Sequence, residues 1–392
     1  MRVEVAVVPS CQPCRDRVAA WPPRRCTASK NAQNAFLSLS AAAVERLVSR
    51  WAPLVWLSPG ERFMPAGVED FLKHVTPRAM AAANAVPAIP QGPRSAAWYL
   101  VSNASVEELL GNSSSFLYGH DPSRGPVPVY AVVTLTTTMC LVSRRLLDNE
   151  VPSGPADAEP LLHVTYWMFF PYNEGKPVCV LDLGPLGPWP LPLLWGSCMG
   201  TWRRFGAHVG DWEHVSLFFS KESHPDAMYV STHEAGAFYR WSGAAPGVAG
   251  ATPGHLVLER QEVRKGSELL QRASFPLMAR LHRATGRPEL FAAQGSHGLW
   301  TRPGSHRYVR VPRLYDHSGY GAPWRTWERL AVLYEGSPTA AGWLRFLGRW
   351  GNPRAGCHPL STAICTQLVF SDFHWKGHNA RIDPSSALYI TT

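Results

Sequence analysis

The sequence predicts a mainly β protein, an antiparallel β-sandwich with short helical decorations and long ordered loops. Bulky aromatic residues are frequent, with 16 Trp, 12 Tyr and 15 Phe in 392 residues, and such side chains favour strands. The 35 prolines and 32 glycines indicate many turns. Long loops rather than regular helices separate the strand-like runs, which argues against a parallel α/β sheet.

The first ordered elements are predicted to be short helices. Ser40 to Val48 has a helical pattern, in which Ser40 can cap the amino-terminal end. The apolar run Trp51 to Leu57 should be extended, and a second short helix is expected from Gly67 to His74. Residues 76–95 are rich in Ala and Pro and are predicted to form a loop.

Strand patterns dominate the rest of the chain, where β-branched and aromatic residues form short apolar or alternating runs. The expected strands are Val129–Thr138, Leu162–Phe170, Asp211–Phe219, Met228–Thr232, Leu290–Ala293 and Arg307–Val311. The stretch from Gly184 to Trp195 contains four prolines, which cannot form a regular helix, so an ordered loop is expected there.

These patterns predict an irregular N-terminal extension at 1–38, a single β-sandwich domain at 39–355 and an irregular C-terminal tail at 356–392. No run of about 18 apolar residues occurs, so no transmembrane segment is expected. The N-terminus lacks the apolar core and cleavage site of a signal peptide. A soluble protein is expected, and the sequence does not identify its compartment.

The formal charge of +9 is unevenly distributed. Residues 1–50 hold eight Lys and Arg against three Asp and Glu, a net charge of +5 that leaves +4 for the rest of the chain. A nucleic-acid-binding protein carries its basic patch on the folded domain. Because the excess here lies mostly in the irregular head, nucleic acid is not an expected partner.

The eight cysteines identify no redox or zinc site. Cys11 and Cys14 form a lone CxxC without a second pair at zinc spacing, which is a weak signal. Cys179 and Cys198 bracket the proline-rich stretch. They could form a disulfide in an oxidising compartment or remain free thiols, and both alternatives stay open.

A candidate metal site lies in the segment from His208 to Phe219. If Asp211 begins a strand, Asp211 and Glu213 project from one face and His214 from the other. Two neighbouring buried carboxylates repel each other unless a cation offsets their charge, and Mg²⁺, Ca²⁺ or Mn²⁺ would do so. His208, three residues before Asp211, could add a nitrogen ligand. The alternative is that both acids are exposed or paired with arginines.

Four separated blocks resemble one family. They are WAPLVWLSPGERFMP (51–65), TYWMFFPYNEGK (165–176), HVGDWEHVSLFF (208–219) and FAAQGSHGLW (291–300). In this order they resemble the vacuolar protein sorting-associated protein 62 family over about residues 50–355. The biochemical activity of that family is not established, and its name implies a link to vacuolar or endomembrane sorting.

A more distant similarity, to the necrosis- and ethylene-inducing-like proteins, implies a β-sandwich with a bound divalent cation. Those proteins recognise sphingolipids at plant membranes, which makes a lipid the preferred ligand class here. Their ligand positions match His208, Asp211 and Glu213, with Asn173 as the fourth. Asn173 replaces an acid of those proteins, so its neutral carbonyl should hold a cation less tightly.

Further polar and aromatic residues could line a pocket near the acids. His297 lies between two glycines and precedes Trp300, His233 and Glu234 end a strand, and Tyr315 and Asp316 belong to an aromatic loop. The alternative for each is a structural role in a turn or a surface loop.

Three functions remain open on the sequence. The first is a non-enzymatic recognition module that uses the cation and its loops to bind membrane lipid headgroups or glycans. The second is a metal-dependent hydrolase with His214, His233 or His297 as the base, although His214 faces away from the two acids. The third is a scaffold without metal. No GxSxG, P-loop or GxGxxG pattern occurs, which favours a non-enzymatic function.

Overall fold

The computed structural model describes residues 40–79, 98–135, 162–184, 188–220, 223–243, 254–263, 273–310, 313–334, 342–346 and 348–353. The predicted N-terminal extension, the CxxC pair and the predicted C-terminal tail lie outside these residues.

Three short helices decorate the described chain. They are α1 (Ala41–Trp51), α2 (Val68–Leu72) and α3 (Val106–Gly111). Ser40 caps α1 as expected, because its hydroxyl accepts a hydrogen bond from the Ala43 N–H. Val44, Leu47, Val48 and Trp51 form the buried stripe that packs α1 against the sheets. Short 3₁₀ turns cover Phe116–Tyr118, Thr326–Arg329 and Gly342–Arg345.

Strands are the most abundant secondary structure in the described residues. They are β1 (Leu54–Trp56), β2 (Val75–Ala79), β3 (Trp98–Ser102), β4 (Val129–Leu135), β5 (Leu162–Asn173), β6 (Lys176–Asp182), β7 (Pro188–Pro190), β8 (Thr201–Phe205), β9 (His208–Phe219), β10 (Ala227–Thr232), β11 (Ala235–Ser242), β12 (His255–Val263), β13 (Met278–Ala279), β14 (Glu289–Ala292), β15 (Leu299–Trp300), β16 (Gly304–Val309), β17 (Leu314–Ser318), β18 (Pro323–Arg325), β19 (Leu330–Tyr334) and β20 (Arg349–Trp350).

The two largest sheets pack face to face as a sandwich. One has eight strands in the order β13-β12-β11-β10-β9-β5-β4-β19, and the other has four in the order β15-β14-β1-β18. Side chains from both sheets, among them Val215 and Leu290, share one hydrophobic core. The predicted β-sandwich is therefore confirmed.

A second core covers the opposite face of the eight-stranded sheet. Trp167, Phe169 and Trp212 project from that face and pack against Phe71 of α2 and Trp350 of β20. Because the sheet is covered on both sides, every residue of β5 and all but His208 of β9 are buried.

Strands β5 and β9 form the centre of the large sheet. They pair antiparallel without a slip from Leu162 opposite Phe219 to Asn173 opposite His208. Val215, Leu217 and Phe219 face the sandwich core, whereas Trp212 faces the second core. The alternation expected after Asp211 is therefore confirmed.

Some expected details are wrong. The sheets are not purely antiparallel, because β1 pairs with β14, β4 with β19 and β3 with β20 in parallel. In each pair the partners are far apart in sequence, so a long connection can bring them together in parallel. Within the expected loop at 76–95, residues 76–79 belong to β2, an edge strand that tolerates Pro77; residues 80–95 lie outside the described parts.

The proline-rich stretch is also more regular than expected. Its residues Pro188–Pro190 form β7, which pairs with β6 at the edge of a three-stranded sheet. A disulfide joins Cys179 to Cys198, which selects one of the two alternatives left open. In the parts of the chain that the structure describes, no helix has the length and apolar character needed to cross a membrane.

Candidate functional site

Three of the four candidate metal ligands, Asn173, His208 and Asp211, lie together at the end of the β5–β9 pair. Gly210 has φ +71°, a conformation that reverses which face the following side chain takes. As a result, Val209 and Trp212, three residues apart, share the second core. His208 and Asp211, also three apart, share the other side, with His208 Nε2 3.7 Å from Asp211 Oδ1.

Asn173 lies opposite His208 on the neighbouring strand. Its amide nitrogen donates to Asp211 Oδ2 over 2.9 Å and to the Ser296 carbonyl over 3.2 Å. Its carbonyl oxygen accepts from the Gly175 N–H over 2.9 Å. Asn173 thus presents nitrogen to Asp211, not the carbonyl oxygen expected of a metal ligand, since oxygen acceptors surround the NH₂ group.

His297 connects Asp211 to a second buried acid, Glu61. Its Nδ1 is 3.1 Å from Asp211 Oδ2, and its Nε2 is 3.0 Å from the Phe63 carbonyl and 3.9 Å from Glu61 Oε1. The groups facing both nitrogens only accept hydrogen bonds, so both nitrogens carry protons. The ring also stacks on Phe170, with centroids 3.9 Å apart.

The charge on His297 follows from its neighbours. Burial by itself would lower the pKa of His297, but hydrogen bonds and charges from Asp211 and Glu61 outweigh that effect and raise it to about 9. Burial would likewise raise the pKa of Glu61, yet His297 and the N–H groups of Gly295 and Phe63 hold it below its usual value. His297 is therefore a buried cation between two carboxylates.

His208 has the environment of a histidine that can bind a metal. Its Nδ1 is 3.1 Å from the Gly210 carbonyl, which can only accept, so in the neutral ring Nδ1 holds the proton. Nε2 faces Asp211 Oδ1 at 3.7 Å. Metal-binding histidines commonly donate their other N–H to a carbonyl in this way. Glu213 is buried two residues further along the same face.

The fit to a divalent cation is partial. His208 Nε2 and Asp211 Oδ1 lie 3.7 Å apart, and His208 is the one residue of β9 that is partly exposed. Asn173 does not fit as it stands, and His297 already supplies positive charge to Asp211. Across the described residues, no group of three or more His, Cys, Asp and Glu side chains is arranged to hold a metal ion.

Three residues named as pocket candidates, His233, Trp300 and Asp316, form a separate cluster. Asp316 is the centre of a second buried cluster, where it accepts from His233 Nε2 over 2.7 Å and from Trp300 Nε1 over 3.0 Å. Ser296 Oγ donates to it over 2.6 Å, and Lys176 Nζ lies 3.1 Å away. Burial would raise the pKa of Asp316, but the charges of His233 and Lys176 hold it far below its usual range.

The remaining three pocket candidates lie in three different places. Tyr315 points to solvent from the face of β17 opposite Asp316, with 39% of its surface exposed. Glu234 is buried in the two-residue turn between β10 and β11. His297 belongs to the Asp211 cluster described above, and its neighbour Ser296 belongs to that of Asp316. The loop 293–298 therefore ties the two buried aspartates together.

Backbone strain coincides with these clusters. Among the described residues, the non-glycine residues with positive φ are Trp195, His233 and His297. Such conformations are costly and tend to persist at functional sites. Two of the three are histidines that contact the buried aspartates: His233 contacts Asp316, and His297 contacts Asp211.

Sequence reasoning missed Glu61 and Lys176. Both lie in the blocks that carry the family resemblance, Glu61 after the Pro59-Gly60 turn and Lys176 after Gly175. No local pattern identifies their partners, because Glu61 meets residues near 295 and Lys176 meets residue 316. A charged residue directly after a glycine was the signal available in the sequence.

Comparison with known proteins gives a remote similarity. The chain is 24% identical over 203 residues to the Saccharomyces cerevisiae protein named Putative vacuolar protein sorting-associated protein TDA6. The match covers 48% of this chain and 34% of the yeast protein, so the chain spans about a third of the relative it matches. No protein family model matches, and no solved structure matches significantly. The chain is thus a mainly β protein with remote similarity to a vacuolar protein sorting-associated protein.

Proposed function

We propose that this protein is a non-enzymatic recognition module of the endomembrane sorting system. In this proposal a divalent cation binds between His208 and Asp211, with Glu213 as a further ligand, and the adjoining surface binds a membrane lipid headgroup or a glycan. The cation would supply positive charge for oxygen atoms of the ligand.

One observation carries the proposal. His208 Nδ1 lies 3.1 Å from the Gly210 carbonyl, and Nε2, on the other side of the ring, faces Asp211 Oδ1 across 3.7 Å. An imidazole nitrogen and a carboxylate oxygen turned toward each other at this distance suit a shared cation. The Gly210 conformation brings the two side chains to the same side of β9.

The surroundings support an anionic ligand. Glu174 follows β5 directly and lies between two partly exposed arginines, 2.9 Å from Arg204 and 3.5 Å from Arg62. Guanidinium groups bind phosphate and carboxylate oxygens well, and these two arginines lie beside the exit of β5 and β9. The remote similarity to TDA6 supports the sorting role.

A second candidate is a scaffold that uses no metal. It is favoured by Asp211 Oδ2, which already accepts hydrogen bonds from Asn173 and from the His297 cation. In that case a proton on His208 Nε2 would complete the neutralisation of Asp211.

Metal titration of the purified protein separates the two candidates. Mg²⁺, Ca²⁺ and Mn²⁺ are titrated by calorimetry into chelator-treated wild type, His208→Ala and His120→Ala. His208 is partly exposed, so its removal should leave the fold intact, and His120 is an exposed histidine outside the cluster. We expect one bound cation, weakened roughly tenfold or more in His208→Ala and unchanged in His120→Ala.

The ligand is tested with the same proteins. Phosphoinositide, sphingolipid and glycan arrays are incubated with and without EDTA. Headgroup binding that disappears with EDTA and in His208→Ala supports the proposal. If wild type binds no more cation than His208→Ala, the cation site is wrong and the scaffold candidate stands.

A further inference from the structure

The segment between β6 and β8 exposes a concentration of apolar side chains. We call residues 188–202 the apolar loop. Of the twelve large hydrophobic residues that are exposed in the described structure, seven lie between 181 and 202. They are Leu181, Leu183, Leu193, Leu194, Trp195, Met199 and Trp202. Exposed apolar patches of this kind mark interaction surfaces in soluble proteins.

The tip of the apolar loop is built to display Trp195. Leu194 and Ser197 exchange both backbone hydrogen bonds, of 3.0 and 2.9 Å, around a two-residue turn. Trp195 and Gly196 both have positive φ, at +47° and +80°, as in a type I′ turn. Asn, Asp or Gly is favoured at the first of these positions, whereas a Trp there is strained. The Trp195 side chain is nevertheless fully exposed.

The loop is also anchored at its base. The Cys179–Cys198 disulfide ties it to the central strand of its sheet, and the Leu191 N–H donates to the Cys179 carbonyl over 2.8 Å. Because the disulfide and this hydrogen bond both attach the loop to Cys179, they limit how far its apolar side chains can fold back onto the protein.

Charge is arranged around the loop but not within it. No Asp, Glu, Lys or Arg occurs from Leu183 to Trp202. Arginines begin immediately at the base, where Arg203 pairs with Asp182 and Arg204 with Glu174, and about half of each arginine side chain is exposed. This arrangement matches the layers of a membrane surface. The uncharged tip corresponds to the acyl-chain layer, and the arginines at the base correspond to the phosphate layer above it.

We propose that the apolar loop docks into the headgroup–acyl boundary of an anionic phospholipid bilayer. Trp195 occupies the boundary, Leu193 and Leu194 reach the acyl chains, and Arg203 and Arg204 contact lipid phosphates. A Trp ring suits this position because its apolar body and polar N–H match the two layers. The absence of charge over the whole segment favours lipid over a protein partner, whose interface would include a polar rim.

This inference rests on the proposed function, since it names the surface from which a headgroup would be bound. The two can fail separately. Docking by Trp195 needs no cation and should persist in EDTA, whereas cation-dependent headgroup binding should not.

Vesicle flotation of the full chain tests the docking. Wild type, Trp195→Asn and Leu277→Asn are incubated with phosphatidylcholine vesicles and with vesicles that also contain phosphatidylserine, with and without EDTA. Trp195→Asn removes the ring and places a residue that the turn favours, so the variant should fold at least as well. Leu277, with 74% of its surface exposed, is a matched control outside the loop.

We expect wild type to bind anionic vesicles, Trp195→Asn to bind roughly tenfold more weakly or worse, and Leu277→Asn to bind like wild type. Equal binding of wild type and Trp195→Asn, or no binding of wild type to either vesicle, overturns the proposal. Sedimentation without vesicles adds a further outcome. A dimer that Trp195→Asn abolishes would mean that the loop docks a second copy of the chain, and would also overturn it.

Discussion

Replacing Asp316 by Asn should destabilise the protein strongly. The carboxylate is fully buried and accepts from four donors, two on each oxygen. Lys176 and Ser296 face Oδ1, and His233 and Trp300 face Oδ2. Asparagine keeps one acceptor oxygen and places an NH₂ group on the other side, so two donors lose their acceptor whichever way the amide turns.

The magnitude follows from those two donors. A hydrogen bond to a charged group contributes about 1.5–3 kcal/mol, so the loss of two predicts a cost of about 3–6 kcal/mol. This loss of unfolding free energy should be fully present at pH 7. The pKa of Asp316 is held far below its usual range, so the carboxylate is ionised at that pH. Since domains are typically stable by about 5–15 kcal/mol, this is a large share of the free energy of unfolding.

Urea denaturation at pH 7, followed by near-UV circular dichroism, measures this change. Asp182→Asn is the matched control, since Asp182 pairs with Arg203 at the surface and should cost below about 1 kcal/mol. If Asp316→Asn is too unstable to purify, Ser296→Ala removes a single donor and should cost about 1–3 kcal/mol. An unfolding free energy for Asp316→Asn within about 1 kcal/mol of wild type would refute the reasoning.

Two further predictions concern other parts of the fold. Burial lowers the pKa of His163 to about 4, so its contribution to stability is present above about pH 6.5 and is lost as the pH falls toward 4. Wild type should lose about 3 kcal/mol more than His163→Gln over that range in urea denaturation, and parallel pH profiles would contradict this. Gly210→Ala should cost about 1–3 kcal/mol in thermal denaturation, because φ is +71° and the new Cβ would meet the Trp350 carbonyl oxygen at 2.9 Å. An unchanged melting temperature would rule out that constraint.

Local periodicity was sufficient to predict much of the sheet. The alternation from Asp211 to Phe219 correctly separates the side chains that face the sandwich core from Trp212 on the opposite face. The first helix and its Ser40 cap were also predictable, since a cap and an apolar stripe depend on residues a few positions apart. The parallel strand pairs were not, because nothing in either strand encodes the direction of a partner more than 200 residues away.

By itself, the sequence determined that Asp211 and Glu213 share one face and that His208 is a candidate to join them, and the distant resemblance added Asn173. Only the tertiary structure decided how the buried charges are neutralised. It placed the His297 ring between Asp211 and Glu61, and Lys176 beside Asp316. The physical reason is that strand periodicity is a local property, whereas a buried carboxylate takes its counter-charge from whichever distant loop the fold packs against it.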